Sequence, residues 1–310
     1  MTGVQTCALP IFLSMLALLL IMSSVSAKEI VTIYYAWSAG DTIANYGRTL
    51  VDEANKIQDR YTFVFDTKPG AGNAIAANHV RTTANTILFT SSAFFIRPNF
   101  YPNESYNIND FQELMPFCYG PMAVSSFKYK TWEEVPKDKP LNIGVSGLGV
   151  TSHLISLQVI EKYPQMQAVP FKSVNEAMLG MISGSLDFTV GFIGEAEQWA
   201  KEGNKQQLYV LGITGSQAVN GFNPLVNFGF NSALRQSNVP HHLVVPTSVS
   251  ADKFNDWRNI LTKAQRAKSV QESYKVDSCR PTTLRDNELN PWFSQQIEHW
   301  RKLSSGVTLK

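Results

Sequence analysis

The stretch KPGAGNAIAANHV (Lys68–Val80) joins a loop of small residues to a segment with helical character. The apolar run YTFVF (Tyr61–Phe65) precedes it, and the run TILFTSS (Thr86–Ser92) follows it. Short runs rich in β-branched and aromatic residues are typical of strands, whereas the alanine-rich segment favours a helix. The stretch therefore predicts a strand–helix–strand unit, with a glycine-rich turn between the first strand and the helix.

The same alternation of strand-like and helix-like segments extends along most of the chain. Apolar residues recur at helical spacing over Ile43–Ile57, and after Pro246 the pattern becomes mainly helical. Such β–α alternation predicts an α/β fold whose parallel sheets are covered by helices. The remaining predicted strands are Glu29–Trp37, Leu141–Ser146, Met166–Phe171, Leu186–Phe192, Gln207–Thr214 and His242–Pro246.

Loops of small and polar residues follow several predicted strands. They are WSAGDT (Trp37–Thr42), KPGAGN (Lys68–Asn73), TSS (Thr90–Ser92) and SGLGVTSH (Ser146–His153). In open α/β sheets, ligands bind at the carboxyl ends of strands, and the free N–H groups at helix starts suit an anion. Turn formation and helix capping explain any one of these loops equally well. The prediction of an anion-binding cleft therefore rests on the loops taken together.

The composition argues against several classes of function. The chain has 310 residues, a formal net charge of +2 and 17% charged residues. This small net charge, without a cluster of Lys and Arg, argues against a nucleic-acid partner. Neither Cys-x-x-Cys nor His-x-x-x-His spacing is present, so we expect no metal and no other cofactor.

The N-terminal segment has the pattern of an export signal. FLSMLALLLIM (Phe12–Met22) is too short to span a bilayer, and VSA (Val25–Ala27) supplies the small residues of a cleavage site. We interpret residues 1–27 as a signal peptide, with a membrane anchor as the competing interpretation. Residues 1–11 read like a translated sequencing-adapter oligonucleotide, which predicts an artefactual start and leaves Cys7 without significance.

Two cysteines remain in the mature chain, Cys118 and Cys279. In an exported protein they form either one disulfide or two isolated buried thiols, and we favour the two thiols. We expect no catalytic residue, because GVSGLG (Gly144–Gly149) lacks the G-x-S-x-G spacing of a nucleophile elbow. A secreted α/β hydrolase that uses Ser152 or His153 is kept as a remote alternative.

The order and spacing of five motifs resemble the Bug-type (TctC-like) substrate-binding proteins of tripartite tricarboxylate transporters, over about Glu29–Lys310. KPGAGNAIAANHV and the following TILFTSSAFFIRPNFY are similar to the family's R-P-G-A-G-G-N-x-G and L-x-x-x-T-S-S segments. YNINDFQELMP (Tyr106–Pro116) is similar to Y-D-P-x-K-D-F-x-P-V, and SGLGVTSHL (Ser146–Leu154) to G-x-G-S-T-P-H-L. VPFKSVNEAMLGMISGSLDFTVG (Val169–Gly191) resembles V-P-Y-K-G followed by A-L-x-D-L-L-G-G-Q-V-D.

The resemblance implies a two-lobed periplasmic-binding-protein fold of type II-like topology, each lobe a mostly parallel sheet flanked by helices. We expect residues 28–119 plus 239–310 to form lobe 1 and residues 120–238 to form lobe 2, with the ligand in the cleft between them. The family is implied to capture small organic acids, mostly di- or tricarboxylates, in the periplasm. We expect a monomer that delivers its ligand to a membrane permease of a large and a small subunit, or alternatively an orphan receptor that presents it to a sensor kinase.

The resemblance also assigns the ligand contacts, and Asp41, Thr42 and Gly191 complete the predicted site. Asp41 adds a negative charge, and Val150 replaces a Ser donor of the family. Gly191 stands where many members carry an Asp that pairs with an amino group or a water-bridged group. We therefore expect a small or partly apolar acid rather than an amino acid. The contacts matched by motif are Trp37, Ser38, Gly72, Asn73, Thr90, Ser91, Ser92, Thr151, Ser152 and His153.

Overall fold

The computed structural model describes residues 27–103, 106–201, 207–275, 279–305 and 307. The predicted signal peptide, residues 1–27, and the interpretation of residues 1–11 lie outside this part of the chain, apart from Ala27. In the described ranges, no helix is both long enough and apolar enough to cross a membrane.

The first sheet has the strand order β2-β1-β3-β10-β4-β11. Its members are β1 (Glu29–Tyr35), β2 (Tyr61–Thr67), β3 (Thr86–Ser91), β4 (Phe111–Gly120), β10 (Val239–Pro246) and β11 (Arg280–Pro281). The first three strands are parallel, because a helix connects each to the next. β10 runs antiparallel to both β3 and β4, and β11 antiparallel to β4.

The second sheet has the strand order β7-β6-β8-β5-β9. Its members are β5 (Met122–Ser126), β6 (Leu141–Val145), β7 (Met166–Pro170), β8 (Phe188–Phe192) and β9 (Tyr209–Ile213). β6, β7 and β8 are parallel, and β5 runs antiparallel to its neighbours β8 and β9. Each sheet thus contains one strand near its centre that runs against the prevailing direction.

Helices cover both faces of the first sheet. Over both sheets, the helices of the described ranges are α1 (Thr42–Lys56), α2 (Ala74–Thr82), α3 (Ala93–Phe100), α4 (Thr151–Lys162), α5 (Val174–Ile182), α6 (Ile193–Lys201), α7 (Ala251–Gln265), α8 (Lys268–Lys275) and α9 (Asp286–Ser304). On one face, α1 and α7 bury a core that includes Ile33 and Trp257. On the other face, α2, α3 and α9 bury a second core around Leu88 and Trp300. The predicted helix at Ile43–Ile57 corresponds to α1.

The predicted α/β class is confirmed: the chain forms two mostly parallel sheets flanked by helices. Every strand predicted from the sequence is present, although several ends differ by two or three residues. The sequence does not predict β4, β5 and β11. β4 is buried along nearly its whole length, so it lacks the polar alternation that marks a half-exposed strand.

The chain crosses between the sheets at two neighbouring places. It leaves the first sheet after β4 and returns to it at the start of β10. Gly120, the last residue of β4, pairs with Val239, the first residue of β10, so the two crossings lie side by side. Sheet membership changes near the expected lobe limits, whose exact positions stay a prediction.

Cys118 and Cys279 form a disulfide, so the favoured prediction of two separate thiols is wrong. Pro281 of β11 pairs with Cys118 of β4, and this pairing holds the two cysteine Cα atoms 5.6 Å apart. That separation is typical of a disulfide. The sequence did not reveal the pairing because the cysteines are 161 positions apart and β11 is too short to leave a pattern.

A buried acid–imidazole pair joins β4 to β10. Glu113 Oε2 and His242 Nδ1 are 2.8 Å apart, and neither side chain is exposed to solvent. Burial raises the pKa of the Glu113 carboxyl, and the neighbouring His242 partly opposes that rise. Within the described chain, Glu113 Oε1 and His242 Nε2 make no further hydrogen bond. The two strands that carry the crossings are therefore held together by side chains as well as by their backbones.

Candidate functional site

All four polar loops singled out in the sequence lie at carboxyl ends of strands. Three of them follow β1, β2 and β3 and lead into α1, α2 and α3. The fourth follows β6 of the other sheet and leads into α4. Unpaired backbone N–H groups at these helix starts give each loop a partial positive charge.

Contacts between the loops of the two sheets close the cleft. The hydroxyl oxygens of Ser92 and Thr151 are 2.7 Å apart. Arg97 Nη1 donates to the carbonyl oxygen of Leu148 at 2.8 Å, and its guanidinium carbon lies 3.6 Å from the ring centre of Tyr101. These polar contacts hold the loop before α4 against the helix that follows β3.

A second set of close approaches depends on glycine. A Cβ atom at Gly72 would lie 2.8 Å from Val150 Cγ1, and one at Gly149 would lie 2.6 Å from Tyr101 Cε2. Both glycines also have positive φ, at 53° and 67°, which L-residues with side chains rarely adopt. Glycine at these two positions therefore allows the loops of the two sheets to touch.

The closed cleft contains a small cavity of about 30 Å³. This volume is room for about one or two water molecules. Five of the predicted site residues line it, namely Trp37, Asp41, Ser91, Thr151 and Ser152. The other lining residues are Tyr35, Ala93, Met122, Ser146, Val150, Val174, Phe192, Glu195 and His241.

The remaining predicted site residues do not line the cavity: Ser38, Thr42, Gly72, Asn73, Thr90, Ser92, His153 and Gly191. Asn73 is fully buried and structural in its contacts: its Oδ1 accepts from Thr90 Oγ1 at 2.9 Å, and its Nδ2 donates to the Tyr106 hydroxyl at 2.9 Å. Asn73 also has a φ of 88°. These bonds offset the strain of that conformation and fix the end of the glycine loop.

His153 and Ser152 shape the start of α4. His153 Nδ1 accepts a hydrogen bond from the Gly149 amide at 3.1 Å, and Ser152 Oγ accepts one from the Ser146 amide at 3.0 Å. Burial lowers the pKa of His153 to about 4, so the ring is neutral at pH 7. His153 Nε2 has no hydrogen-bond partner in the described part of the chain. The ring therefore holds the loop rather than activating the Ser152 hydroxyl, as a hydrolase would require.

Asp41 occupies the N-cap position of α1 but does not cap it. Its backbone is extended as an N-cap requires, yet the carboxyl accepts no hydrogen bond from the first turn of the helix. Burial raises the pKa of Asp41 to about 7, although hydrogen bonds from the Ser38 backbone and the Tyr35 side chain act in the opposite direction. Asp41 Oδ1 is buried, and among the described residues it has no partner.

Glu195 brings a second carboxyl group to the cavity, from the other sheet. Its Oε2 accepts a hydrogen bond from the Phe192 amide at 3.0 Å, at the start of α6. A Cβ atom at Gly191 would lie 3.2 Å from the same oxygen and 2.5 Å from Val174 Cγ1. Glu195 therefore lies beside Gly191, the position at which many family members carry an Asp. From the sequence it reads only as a helix start.

His241 on β10 was also missed, and it faces the cavity directly. Its ring lies 4.8 Å from the ring of Phe192 and 6.3 Å from that of Phe89, measured between centroids. The pKa of His241 is lowered to about 3, mainly by burial and to a smaller extent by neighbouring His242. Both ring nitrogens lack a hydrogen-bond partner among the described residues. The one available signal was a pair of adjacent histidines in a strand whose other residues are mostly apolar.

Comparison with known proteins identifies the family. The tripartite tricarboxylate transporter family receptor (TctC) matches residues 47–309. The chain belongs to this family. No curated protein sequence matches it. The match confirms the family that the motif resemblance predicted. The loops at β1, β2, β3 and β6 therefore belong to a TctC-family receptor.

Solved structures of similar shape are distant in sequence. The periplasmic binding protein BugD has a TM-score of 0.80 and 18% identity, covering 89% of this chain and 97% of its own. An R. palustris protein with adipate has a TM-score of 0.78 and 16% identity, covering 90% of this chain and 97% of its own. MatC from Rhodopseudomonas palustris with bound malate has a TM-score of 0.77 and 16% identity, covering 89% of this chain and 99% of its own. These matches show that the TctC-family chain shares their fold.

Proposed function

We propose that this protein is an exported receptor that captures a small organic acid in the periplasm for uptake by a tripartite tricarboxylate transporter. The ligand is a di- or tricarboxylate or a related carboxylate, and the protein acts as a monomer that hands it to a membrane permease of a large and a small subunit. The lobes comprise residues 28–119 plus 239–310 and residues 120–238. The protein is not an enzyme.

One observation carries this proposal: hydroxyl groups and helix starts from both sheets line the same buried cavity. Ser91 comes from the first sheet, and Thr151 and Ser152 come from the second. Hydroxyl and backbone N–H donors at helix N-termini stabilise a carboxylate without a side-chain cation. A ligand held by both lobes favours the closed conformation, because its contacts are complete only there.

The cavity volume supports a mechanism of opening and closing. A space of about 30 Å³ has room for one or two water molecules, which is less than a di- or tricarboxylate needs. A ligand therefore enters only when Thr151 separates from Ser92 and Leu148 separates from Arg97. The loops that carry these contacts then close around it, and the lining side chains adjust to make room for the ligand. Each hydrogen bond to a charged group contributes about 1.5–3 kcal/mol, so a few of them supply the roughly 8 kcal/mol of micromolar binding.

The family and its neighbours support the choice of ligand and compartment. The family is named for a tripartite tricarboxylate transporter, and two structures of the same fold hold adipate and malate. BugD is a periplasmic binding protein. The disulfide between Cys118 and Cys279 fits an oxidising compartment such as the periplasm.

Isothermal titration calorimetry of residues 28–310 against di-, tri- and aromatic carboxylates tests this function. We expect micromolar binding of at least one acid, and weaker binding after Ser91→Ala because a cavity hydroxyl is lost. Ser183→Ala is the matched control, since Ser183 is exposed and its hydroxyl bonds to Gly180 and Ser185 outside the cavity. Absence of binding across the whole panel would exclude the function.

A further inference from the structure

We infer that the ligand carries a positively charged amino group beside its carboxylate, and that Asp41 and Glu195 hold this amino group. This inference rests on the proposed function and names the ligand class of the same cleft. The ligand is then an amino acid zwitterion rather than a simple dicarboxylate.

The position of Asp41 is the first support. An Asp at an N-cap normally accepts hydrogen bonds from the first turn of its helix, and Asp41 does not. Its side chain instead lines the cavity, is 5% exposed and leaves Oδ1 without a partner among the described residues. A buried acceptor without a partner destabilises the closed form. A ligand that brings an N–H donor removes that cost.

Glu195 lines the same cavity with a second carboxyl group, which comes from the other sheet. It is 3% exposed and belongs to α6 of the second sheet, whereas Asp41 precedes α1 of the first. Its bond to the Phe192 amide fixes the carboxyl group beside the cavity. An ammonium group has three donors, so it can bond to both carboxyl groups at once. Such a group would bind to both lobes and favour their closure.

The composition of the cavity lining is the third support. The described residues that line the cavity include neither Lys nor Arg. A dicarboxylate in this space would offer only acceptors to the carboxyl group of Asp41, so Oδ1 would stay without a donor. A zwitterion brings an ammonium group with three donors. It can therefore bond to Asp41 and Glu195 and leaves its carboxylate for the donors at the start of α4.

His241 supplies the complementary group. Its neutral ring has one N–H donor and one nitrogen acceptor, and both are unpartnered among the described residues. The ring is 1% exposed and lines the same cavity. It is therefore suited to donate to the ligand's carboxylate, with Thr151 and Ser91. The sequence expectation that Gly191 argues against an amino acid stays a prediction, and this inference opposes it because Glu195 lies next to that position.

Isosteric acids test the inference in the unmodified protein. L-Aspartate, L-malate and succinate differ only in carrying an ammonium, a hydroxyl or a hydrogen at one carbon, and so do L-alanine, L-lactate and propionate. Calorimetry with residues 28–310 should show the amino acid binding at least tenfold more tightly than its two isosteres in at least one set.

Variants locate the amino group. Asp41→Asn and Glu195→Gln should each weaken binding of the preferred amino acid by tenfold or more and reduce its advantage over the hydroxy acid. Both replacements keep side-chain size, and the glutamine side chain retains an oxygen that can accept from the Phe192 amide. Glu197→Gln is the control, since Glu197 lies on the same helix, bonds to Asn220 and does not line the cavity.

The outcomes separate this inference from the proposed function. If malate, succinate or another acid without an amino group binds and both amino acids do not, the inference is overturned and the proposed function stands. An equal loss in Glu197→Gln would also overturn it. If no carboxylate binds at all, both are wrong.

Discussion

Ser92 and Thr151 are 59 positions apart and lie at the starts of helices of different sheets, yet their hydroxyl oxygens are separated by 2.7 Å. Both side chains are buried, Ser92 completely. The bond joins loops of different sheets and is not part of the hydrogen bonding of either sheet. The pair is therefore a direct measure of closure, because it exists only while the loops of the two sheets touch.

Removing this bond should shift the protein towards the open form. Thr151→Val keeps the shape of the side chain but loses the hydroxyl, which costs about 0.5–1.5 kcal/mol for a neutral hydrogen bond. We expect a loss of about three- to tenfold in carboxylate affinity and a larger radius of gyration in X-ray scattering. Thr82→Val, an equivalent change on an exposed helix position, is the control. Unchanged affinity and radius would contradict the role.

Stability should decrease with acidification through His153. The unfolded chain binds a proton at its ordinary pKa near 6.5, whereas burial delays protonation in the folded chain to about pH 4. Relative to acidic pH, the neutral His153 ring therefore contributes its full stabilisation of the folded state above pH 6.5. This stabilisation, up to about 3 kcal/mol, is lost as the pH falls towards 4.

His153→Asn tests the pH dependence, because an Asn oxygen can still accept from the Gly149 amide without titrating. Urea unfolding at a series of pH values between 4 and 7 should give a shallower slope for the variant than for the natural chain. Identical slopes would show that His153 does not contribute.

The disulfide should be a major source of stability. It closes a loop of 161 positions, for which chain entropy predicts roughly 4–5 kcal/mol. Replacing both Cys118 and Cys279 with Ser should lower the unfolding free energy by about that amount in guanidinium titrations. Dithiothreitol should destabilise the natural chain and leave the double variant unaffected. A natural chain insensitive to reduction would contradict this expectation.

The pair Glu113–His242 should respond asymmetrically to mutation. Glu113→Leu leaves the fully buried His242 without its partner, so we expect a loss of about 3–5 kcal/mol. Replacing both residues by Leu removes the unpaired group and should recover most of that loss. A double-mutant cycle from denaturant titrations measures the coupling. Additive losses would mean that the two side chains act independently.

The sequence predicts the strands that have a half-exposed face or a helix after them, and it predicts α1 through its apolar stripe. It does not predict β4 and β5 although both are buried, because Gln112, Glu113 and Pro116 interrupt the apolar pattern of β4, and β5 is short and ends in two serines. Glu113 within β4 even argues against a buried strand. Its partner, His242, lies 129 positions away, so only the pairing of β4 with β10 explains it.

The candidate site is predicted in outline and missed in detail. The predicted residues that line the cavity all lie at the carboxyl end of a strand or in the loop after it, namely Trp37, Asp41, Ser91, Thr151 and Ser152. The local sequence pattern does not show which loop residues face the cavity and which, like Asn73, support the backbone. It also cannot place Glu195 or His241, whose positions depend on contacts between strands and helices distant in sequence.

The pairing of Gly120 with Val239 limits how the protein can move. Paired strands lie about 5 Å apart, so two adjacent crossings allow bending about one line but resist sliding or twisting. Opening is then described by a single angle. One distance between probes attached to exposed side chains, such as Ile75 on α2 and Leu179 on α5, would follow the whole motion. Opening and closing of the cleft would then be a process with one measurable coordinate.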